Sequence, residues 1–209
     1  MLIKSKHHLF YYTYFKLFYA KWKIRRNFHK IIISGNFQEK NLPVLLISNH
    51  VSWWDGIWAM YLNLNFFRRK FHFMMLEEQI KENPVCNYVG GYSIKKGSRS
   101  IIESIQYTAE LLADNRNIVL IFPQGEIQSL YKPTIQFEKG LEHIMKKIAG
   151  KAQIIFIANL VDYYSNPRPN LYIYFKEYYF SDTDLKQIQN DYNSFYAQCI
   201  YEKIQKTGS

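Results

Sequence analysis

The sequence has 209 residues, enough for one domain with a substantial hydrophobic core. Its formal net charge is +10 and 18% of its residues are aromatic, so we expect an anionic partner and contact with an interface. Cys86 and Cys199 lack the spacing of a metal or redox site, and no apolar run reaches the ~20 residues that cross a bilayer. We therefore expect a reducing compartment, no metal ion or other cofactor, and at most peripheral contact with a membrane.

Residues 8 to about 28 predict a helix with one broad apolar face, formed by Phe10, Tyr14, Leu17, Phe18 and Trp22. The first thirty residues contain no acid and these basic residues: Lys4, Lys6, Lys16, Lys21, Lys23, Arg25, Arg26 and Lys30. A basic, aromatic amphipathic helix is typical of the surface of an anionic membrane. The alternative is a helix packed on the domain body with a solvated basic edge. We accordingly divide the chain into a membrane-interface helix, 1–30, and a main domain, 31–209.

The main domain alternates between strand and helix patterns. Continuously apolar runs at 44–47, 118–122 and 154–158 predict strands buried on both faces, with further strand candidates at 31–33, 71–75 and 171–175. Apolar residues at helical spacing follow Ser100, at positions 101, 102, 105, 109 and 112, and a second set lies at 137, 141, 144, 145 and 148. Each set predicts an amphipathic helix, and a last helix is expected near 184–206. The pattern predicts a single α/β domain with a mainly parallel mixed sheet flanked by helices.

The first candidate site is Asn49-His50-Val51-Ser52-Trp53-Trp54-Asp55, directly after the 44–47 run. Loops at the carboxyl ends of parallel strands commonly hold ligands. A neutral imidazole is a suitable general base near neutral pH, and a carboxylate on its other nitrogen would fix the tautomer. The spacing also fits a capping box in which Asp55 only satisfies the backbone of Ser52. Both interpretations of Asp55 remain open on spacing alone.

Two further segments could contact a substrate. Gly90 to Arg99 gathers Lys95, Lys96 and Arg99 before the helix that Ser100 opens, a place that attracts anions, although a solvated basic turn is the alternative. Phe122-Pro123-Gln124-Gly125-Glu126 ends the 118–122 run, and Gly125 allows a tight turn and a close approach of substrate. Proline and glycine are also common at strand ends that have no function.

Taken together, the three segments resemble the glycerolipid acyltransferase family typified by lysophosphatidate acyltransferases, over residues from about Ile31 to Phe175. The resemblance implies transfer of a fatty acyl group from acyl-CoA or acyl-carrier protein to a lipid hydroxyl, without a covalent acyl-enzyme, at the cytoplasmic face of a membrane. It implies that His50 is the general base and Asp55 its partner. The implied substrate-binding residues are Asn49, Ser52, Lys95, Lys96, Arg99, Phe122, Pro123, Gln124, Gly125 and Glu126.

The sequence departs from the family's Phe-Pro-Glu-Gly-Thr-Arg-Ser motif. Gln124 replaces a carboxylate, Gln128 replaces an arginine, and Lys96 stands where the family usually has a phosphate-binding arginine. These changes favour an uncharged alcohol as acceptor, while Lys95, Lys96 and Arg99 keep a lysophospholipid possible.

Two other function classes are alternatives to acyl transfer. The first is a non-catalytic membrane- or lipid-binding protein that retains the fold, against which the intact His50 and Asp55 argue. The second is nucleic-acid binding, suggested by charge and aromatic content. The positive charge is concentrated in one amphipathic segment and no recognition motif is present, so we expect no nucleic-acid partner.

Overall fold

The computed structural model describes residues 2–95, 100–179 and 184–206. Lys96 and Arg99 of the predicted anion-binding segment lie outside the described residues. Within them, one seven-stranded sheet contains β1 (Ile31–Ser34), β2 (Val44–Ser48), β3 (Lys70–Leu76), β4 (Gly91–Ile94), β5 (Asn117–Ile121), β6 (Gln153–Asp162) and β7 (Asn170–Tyr178). The strand order is β1-β7-β6-β2-β5-β3-β4, and β6–β7 is the antiparallel pair in an otherwise parallel sheet. The predicted α/β fold is therefore confirmed.

The first helix is continuous over residues 9–27 and consists of α1 (Leu9–Tyr14), a π-helical segment (Phe15–Lys23) and α2 (Ile24–Asn27). The later helices are α3 (Asp55–Leu62) with a π-helical extension (Asn63–Phe67), α4 (Glu77–Glu82), α5 (Val85–Tyr88), α6 (Ser100–Leu111), α7 (Gly140–Ile148) and α8 (Leu185–Lys206). Across the described ranges, no helix is both long and apolar enough to cross a membrane.

The sheet lies between two hydrophobic clusters, which explains its continuously apolar strands. Leu45 and Ile47 of β2 face the cluster beneath α6, α7 and α8, whereas Val44 and Leu46 face the cluster that contains Trp58 of α3. Successive side chains of a strand point to opposite faces, so a strand covered on both sides must be apolar at every position.

Two local predictions were wrong, and one strand was missed. Phe137 precedes α7 instead of lying on it, although it is buried. Ile102 is exposed, although it was placed on the buried stripe of its helix. Neighbouring residues of a helix point about 100° apart, and the buried face of α6 is the one that contains Ile105. The segment from Gly91 to Ile94, which was not among the strand candidates, is the edge strand β4, and its Tyr92 is fully buried. The glycine at its first position and its short length concealed the strand pattern.

The first residues of the chain lie along β4. The Ser93 amide donates to the Ile3 carbonyl at 3.0 Å, and His7 forms an antiparallel bridge with Val89. This N-terminal strap, residues 2–8, therefore pairs with the edge of the sheet before the first helix begins.

Beneath the strap, His72 of β3 is buried in a hydrogen-bonded network. Its Nδ1 lies 2.9 Å from the Ser5 hydroxyl, which is 2.9 Å from the Tyr107 hydroxyl, and its Nε2 lies 3.2 Å from Asn117 Oδ1. Burial, with the nearby His7, lowers the pKa of His72 to about 3. The ring is therefore neutral at physiological pH.

Candidate active site

The candidate site is built by two loops that follow adjacent parallel strands. β2 pairs with β5 in the register Ile47↔Ile121, so the loops after these strands leave the sheet side by side. The imidazole of His50, from the first loop, stacks on the ring of Phe122, from the second, with centroids 4.0 Å apart and planes inclined by 9°. Parallel pairing thus unites two motifs that are about seventy residues apart in sequence.

His50 and Asp55 form a hydrogen-bonded pair. His50 Nδ1 lies 2.8 Å from Asp55 Oδ2, and the same oxygen accepts hydrogen bonds from the amides of Val51 (2.7 Å) and Ser52 (2.8 Å). α3 begins at Asp55, whose side chain is fully buried. The capping contact and the imidazole contact therefore coexist on one carboxylate oxygen, so the two interpretations of the spacing were not exclusive.

The electrostatics of the pair suit a base. Burial raises the pKa of Asp55, and the hydrogen bonds from His50, Ser52 and Val51 oppose that shift by stabilising the carboxylate. An ionised Asp55 accepts the Nδ1–H of His50, which leaves Nε2 as the ring's acceptor. Within the described part of the chain no hydrogen bond is made to Nε2, and the His50 side chain is 22% exposed. This nitrogen can therefore receive a proton from a bound molecule.

A buried polar clasp supports the loop from below. The side-chain Nδ2 of Asn49 donates to the backbone carbonyl of Asn159 at 2.9 Å, and the side-chain Oδ1 of Asn49 accepts from the backbone N–H of Asn159 at 2.8 Å. These two bonds join the end of β2 to β6. Asn159 also donates to Ser48 Oγ at 3.1 Å. Sequence analysis missed Asn159, although an asparagine within the apolar run of β6 was a usable signal. Asn49, expected to bind substrate, is fully buried and uses its amide within the protein.

The second loop turns sharply at Gly125. Its φ of 68° lies in the left-handed region, which favours glycine, and its amide donates to the Phe122 carbonyl at 3.1 Å. The turn directs Gln124 inward, where its side chain is 5% exposed and its Oε1 accepts the His50 amide at 2.6 Å. The loop therefore contacts the backbone of His50 through Gln124 and the ring of His50 through Phe122.

The other predicted site residues differ in exposure and in their position on the sheet. Ser52 is half-buried and its hydroxyl accepts from the Trp54 amide at 3.2 Å, while Pro123 is buried and Glu126 is exposed. Lys95 is exposed directly after β4, at the same edge of the sheet as the His50 loop, but with β3 between β4 and β5.

The N-terminal helix turns its predicted apolar face outward. Phe10, Leu17 and Trp22 are 68%, 53% and 50% exposed, and the rings of Tyr14, Phe18 and Trp22 stack in succession at 4.9 and 5.0 Å. The opposite face is packed against the domain, with Ala20 and Ile24 fully buried. One face of the helix therefore packs on the domain, and the apolar face does not.

This helix reaches the candidate catalytic loop. Trp53 is 65% exposed and its ring lies 6.3 Å from that of Tyr19, while Lys23 Nζ is 5.9 Å from the ring centroids of both Trp53 and Trp54. Sequence analysis did not connect these residues, because nothing local in either segment specifies the contact.

Comparison with known proteins gives a family for the chain and a solved structure of similar fold. A family model described as Acyltransferase matches residues 29–161. The fold is similar to that of the 1-acyl-sn-glycerophosphate (LPA) acyltransferase PlsC from Thermotoga maritima, with a TM-score of 0.57 and 15% sequence identity over 88% of this chain and 76% of that chain. No curated protein matches the sequence.

Proposed function

Because this chain belongs to the Acyltransferase family, we propose that it moves a fatty acyl group from a thioester to a lipid hydroxyl, with His50 as general base. The donor would be acyl-CoA or acyl-carrier protein. The observation that supports this proposal most strongly is the 2.8 Å contact between His50 Nδ1 and the buried Asp55. It leaves Nε2 as the proton acceptor in a loop at the carboxyl edge of the sheet.

The chemistry follows from this arrangement. His50 Nε2 takes the proton of the acceptor hydroxyl as its oxygen attacks the thioester carbonyl. The tetrahedral intermediate collapses by breaking the carbon–sulfur bond, and the imidazolium returns the proton to the departing thiolate. Asp55 stabilises the imidazolium between these steps, because its carboxylate accepts Nδ1–H. The products are the acyl ester and the free thiol, so no oxidant, reductant or metal is needed.

Substitution of His50 tests the catalytic proposal. His50→Ala should lower kcat by about 10²–10⁴-fold, measured as thiol release from acyl-CoA or acyl-carrier protein in the presence of lipid acceptors. His143→Ala, at an exposed position of α7, is the matched control and should keep full activity. Undiminished turnover in folded His50→Ala protein would reject His50 as the base. Absence of thiol release by the wild-type protein with every donor and acceptor would favour the non-catalytic lipid-binding alternative.

We also propose that the protein binds the cytoplasmic face of an anionic membrane peripherally, through the N-terminal helix. Support comes from the exposed rings of Phe10, Tyr14 and Trp22 beside the exposed cations Lys21 and Arg25. Each apolar side chain transferred from water contributes about 1.5–3 kcal/mol when fully buried, and each cation about 1 kcal/mol near an anionic surface.

Point substitutions test membrane binding better than truncation, because Ala20 and Ile24 on the same helix belong to the core. Combined Phe10→Ser, Leu17→Ser and Trp22→Ser should leave the protein in the supernatant when it is spun with anionic vesicles, whereas the wild type should pellet. Tyr131→Ser with Tyr201→Ser, exposed apolar positions elsewhere, forms the control and should still pellet. Equal sedimentation of all three proteins would assign the apolar face another role.

For the acceptor, we propose an uncharged lipid alcohol. Gln124 and Gln128 replace charged residues of the family motif, and their side chains bond to each other at 2.9 Å. A monoacylglycerol should therefore be acylated at least as efficiently as lysophosphatidate, and Lys96→Ala should leave the acceptor KM nearly unchanged. Efficient acylation of lysophosphatidate that falls about 10–150-fold in Lys96→Ala would instead identify a phosphorylated acceptor.

A further inference from the structure

The backbone of His50 is held on both of its polar groups by the loop after β5. Its amide donates to Gln124 Oε1 at 2.6 Å, and its carbonyl accepts from the Gln128 amide at 2.9 Å. Phe122 of the same loop covers one face of the imidazole. One loop therefore constrains the ring face, the N–H and the C=O of the residue proposed as the base.

The two glutamines are themselves joined. Because the His50 N–H can only donate, Gln124 presents its oxygen to His50 and its nitrogen to Gln128 Oε1, at 2.9 Å. Gln128 Nε2 continues the chain to Glu126 Oε1 at 3.0 Å. Both ends of the Gln124 amide are thus engaged by protein atoms in a nearly inaccessible position. The Gln124 amide thus accepts at one end and donates at the other, whereas a carboxylate could only accept.

We propose that Gln124 is a positioning residue that fixes His50 for proton transfer through its backbone and, being uncharged, keeps a second anion away from the imidazole. The proposal rests on the proposed role of His50 and assigns Gln124 a task other than contacting the acceptor. Asp55 orients the ring through Nδ1, whereas Gln124 and Gln128 set where the residue as a whole sits. A misplacement of about 1 Å in a reacting group can lower the rate about 10²-fold.

The lack of charge at Gln124 matters because, among the described residues, the charged partner of the His50 ring is Asp55. Asp55 at the start of α3 contacts the ring, Glu126 is two hydrogen bonds removed from Gln124, and Tyr192 of α8 lies close enough to interact electrostatically with Asp55. A carboxylate at 124 would join this set directly beside the His50 backbone. It would stabilise the imidazolium, so the base would become protonated at higher pH.

Two substitutions at Gln124 separate positioning from charge. Gln124→Met removes the acceptor for the His50 amide, so kcat should fall about 10²-fold. The acceptor KM should then stay within about threefold, and the acid limb of the pH–rate profile should stay in place. Gln124→Glu keeps an oxygen for that amide, so kcat on the alkaline plateau should return to within about tenfold of wild type while the acid limb moves up by about one pH unit or more. Gln187→Met, at an exposed position of α8, is the matched control and should behave as wild type.

Several results would overturn the proposal. A raised acceptor KM with unchanged kcat in Gln124→Met would show that Gln124 contacts the acceptor. An acid limb that does not move in Gln124→Glu would refute the role of charge. NMR titration of the His50 ring in wild type and Gln124→Glu reads the same effect without turnover, so it decides the question even if Gln124→Met fails to fold. Wild-type turnover that is insensitive to His50→Ala would instead refute the proposed function, and unchanged activity in both Gln124 variants would refute this inference alone.

Discussion

Asp55→Asn should separate the catalytic role of this residue from its structural role. Asp55 Oδ2 accepts hydrogen bonds from His50 and from the amides of Val51 and Ser52. An asparagine oxygen can keep all three bonds but has no charge. A neutral imidazole loses little by this change, whereas an imidazolium formed during the reaction would lose its counterion.

The size of the effect follows from Coulomb's law. Two unit charges about 4 Å apart attract by about 4 kcal/mol at an effective dielectric constant of about 20, which corresponds to about 10³-fold in kcat. Stability should change little, because the backbone hydrogen bonds remain and a buried charge is removed. Asp55→Ala leaves three donors without an acceptor, at about 1–3 kcal/mol each, so that variant should lose several kcal/mol of unfolding free energy.

Thiol-release kinetics and thermal unfolding of both variants provide the measurement. The expected pattern is a large loss of kcat with a nearly unchanged Tm for Asp55→Asn, and losses of both for Asp55→Ala. If Asp55→Asn keeps kcat within about threefold while its Tm falls, the aspartate only caps α3 and the assignment of the pair as a base is wrong.

Two further predictions concern stability. The pKa of His72 is lowered to about 3 in the fold against 6.5 unfolded, so its contribution is fully present above pH 6.5 and is lost as pH falls toward 3. Between pH 7 and 5 this should remove about 2 kcal/mol in wild type but not in His72→Gln, as measured by urea unfolding, and parallel curves would contradict it. Gly125→Ala should cost about 1–2 kcal/mol of unfolding free energy and reduce kcat, because φ is 68° at this position. Gly140→Ala is the control and should be tolerated, because an added Cβ would have no neighbouring atom within 4 Å. Equal stability of both variants would contradict this prediction.

The parts of the fold that could be predicted are those where burial is complete on both faces. The runs 44–47 and 118–122 read as strands because every position is apolar, and their parallel pairing follows from the helices between them. β4 escaped prediction because it is a short edge strand whose pairing with β3 comes from the tertiary structure.

At the site, local spacing revealed His50 and Asp55 because both belong to one loop and one helix start. Gln124, Gln128 and Asn159 contact this loop and the end of β2. Their partners lie 74 to 111 positions away in the sequence, so no local pattern specifies these contacts. The motif at the second loop identifies which residues are present there. Whether Gln124 faces a substrate or the protein depends on the turn at Gly125, which local sequence does not specify.

The N-terminal strap has a consequence for handling the protein. β4 is the last strand of the sheet, and an uncovered edge strand offers free N–H and C=O groups to any other extended chain. Residues 2–8 occupy part of that edge through the pairing of Ile3 with Ser93 and of His7 with Val89. They therefore cover part of the strand from other chains, so a chain shortened to begin at Leu9 should form oligomers or aggregates through β4 even with its core and the His50 loop intact.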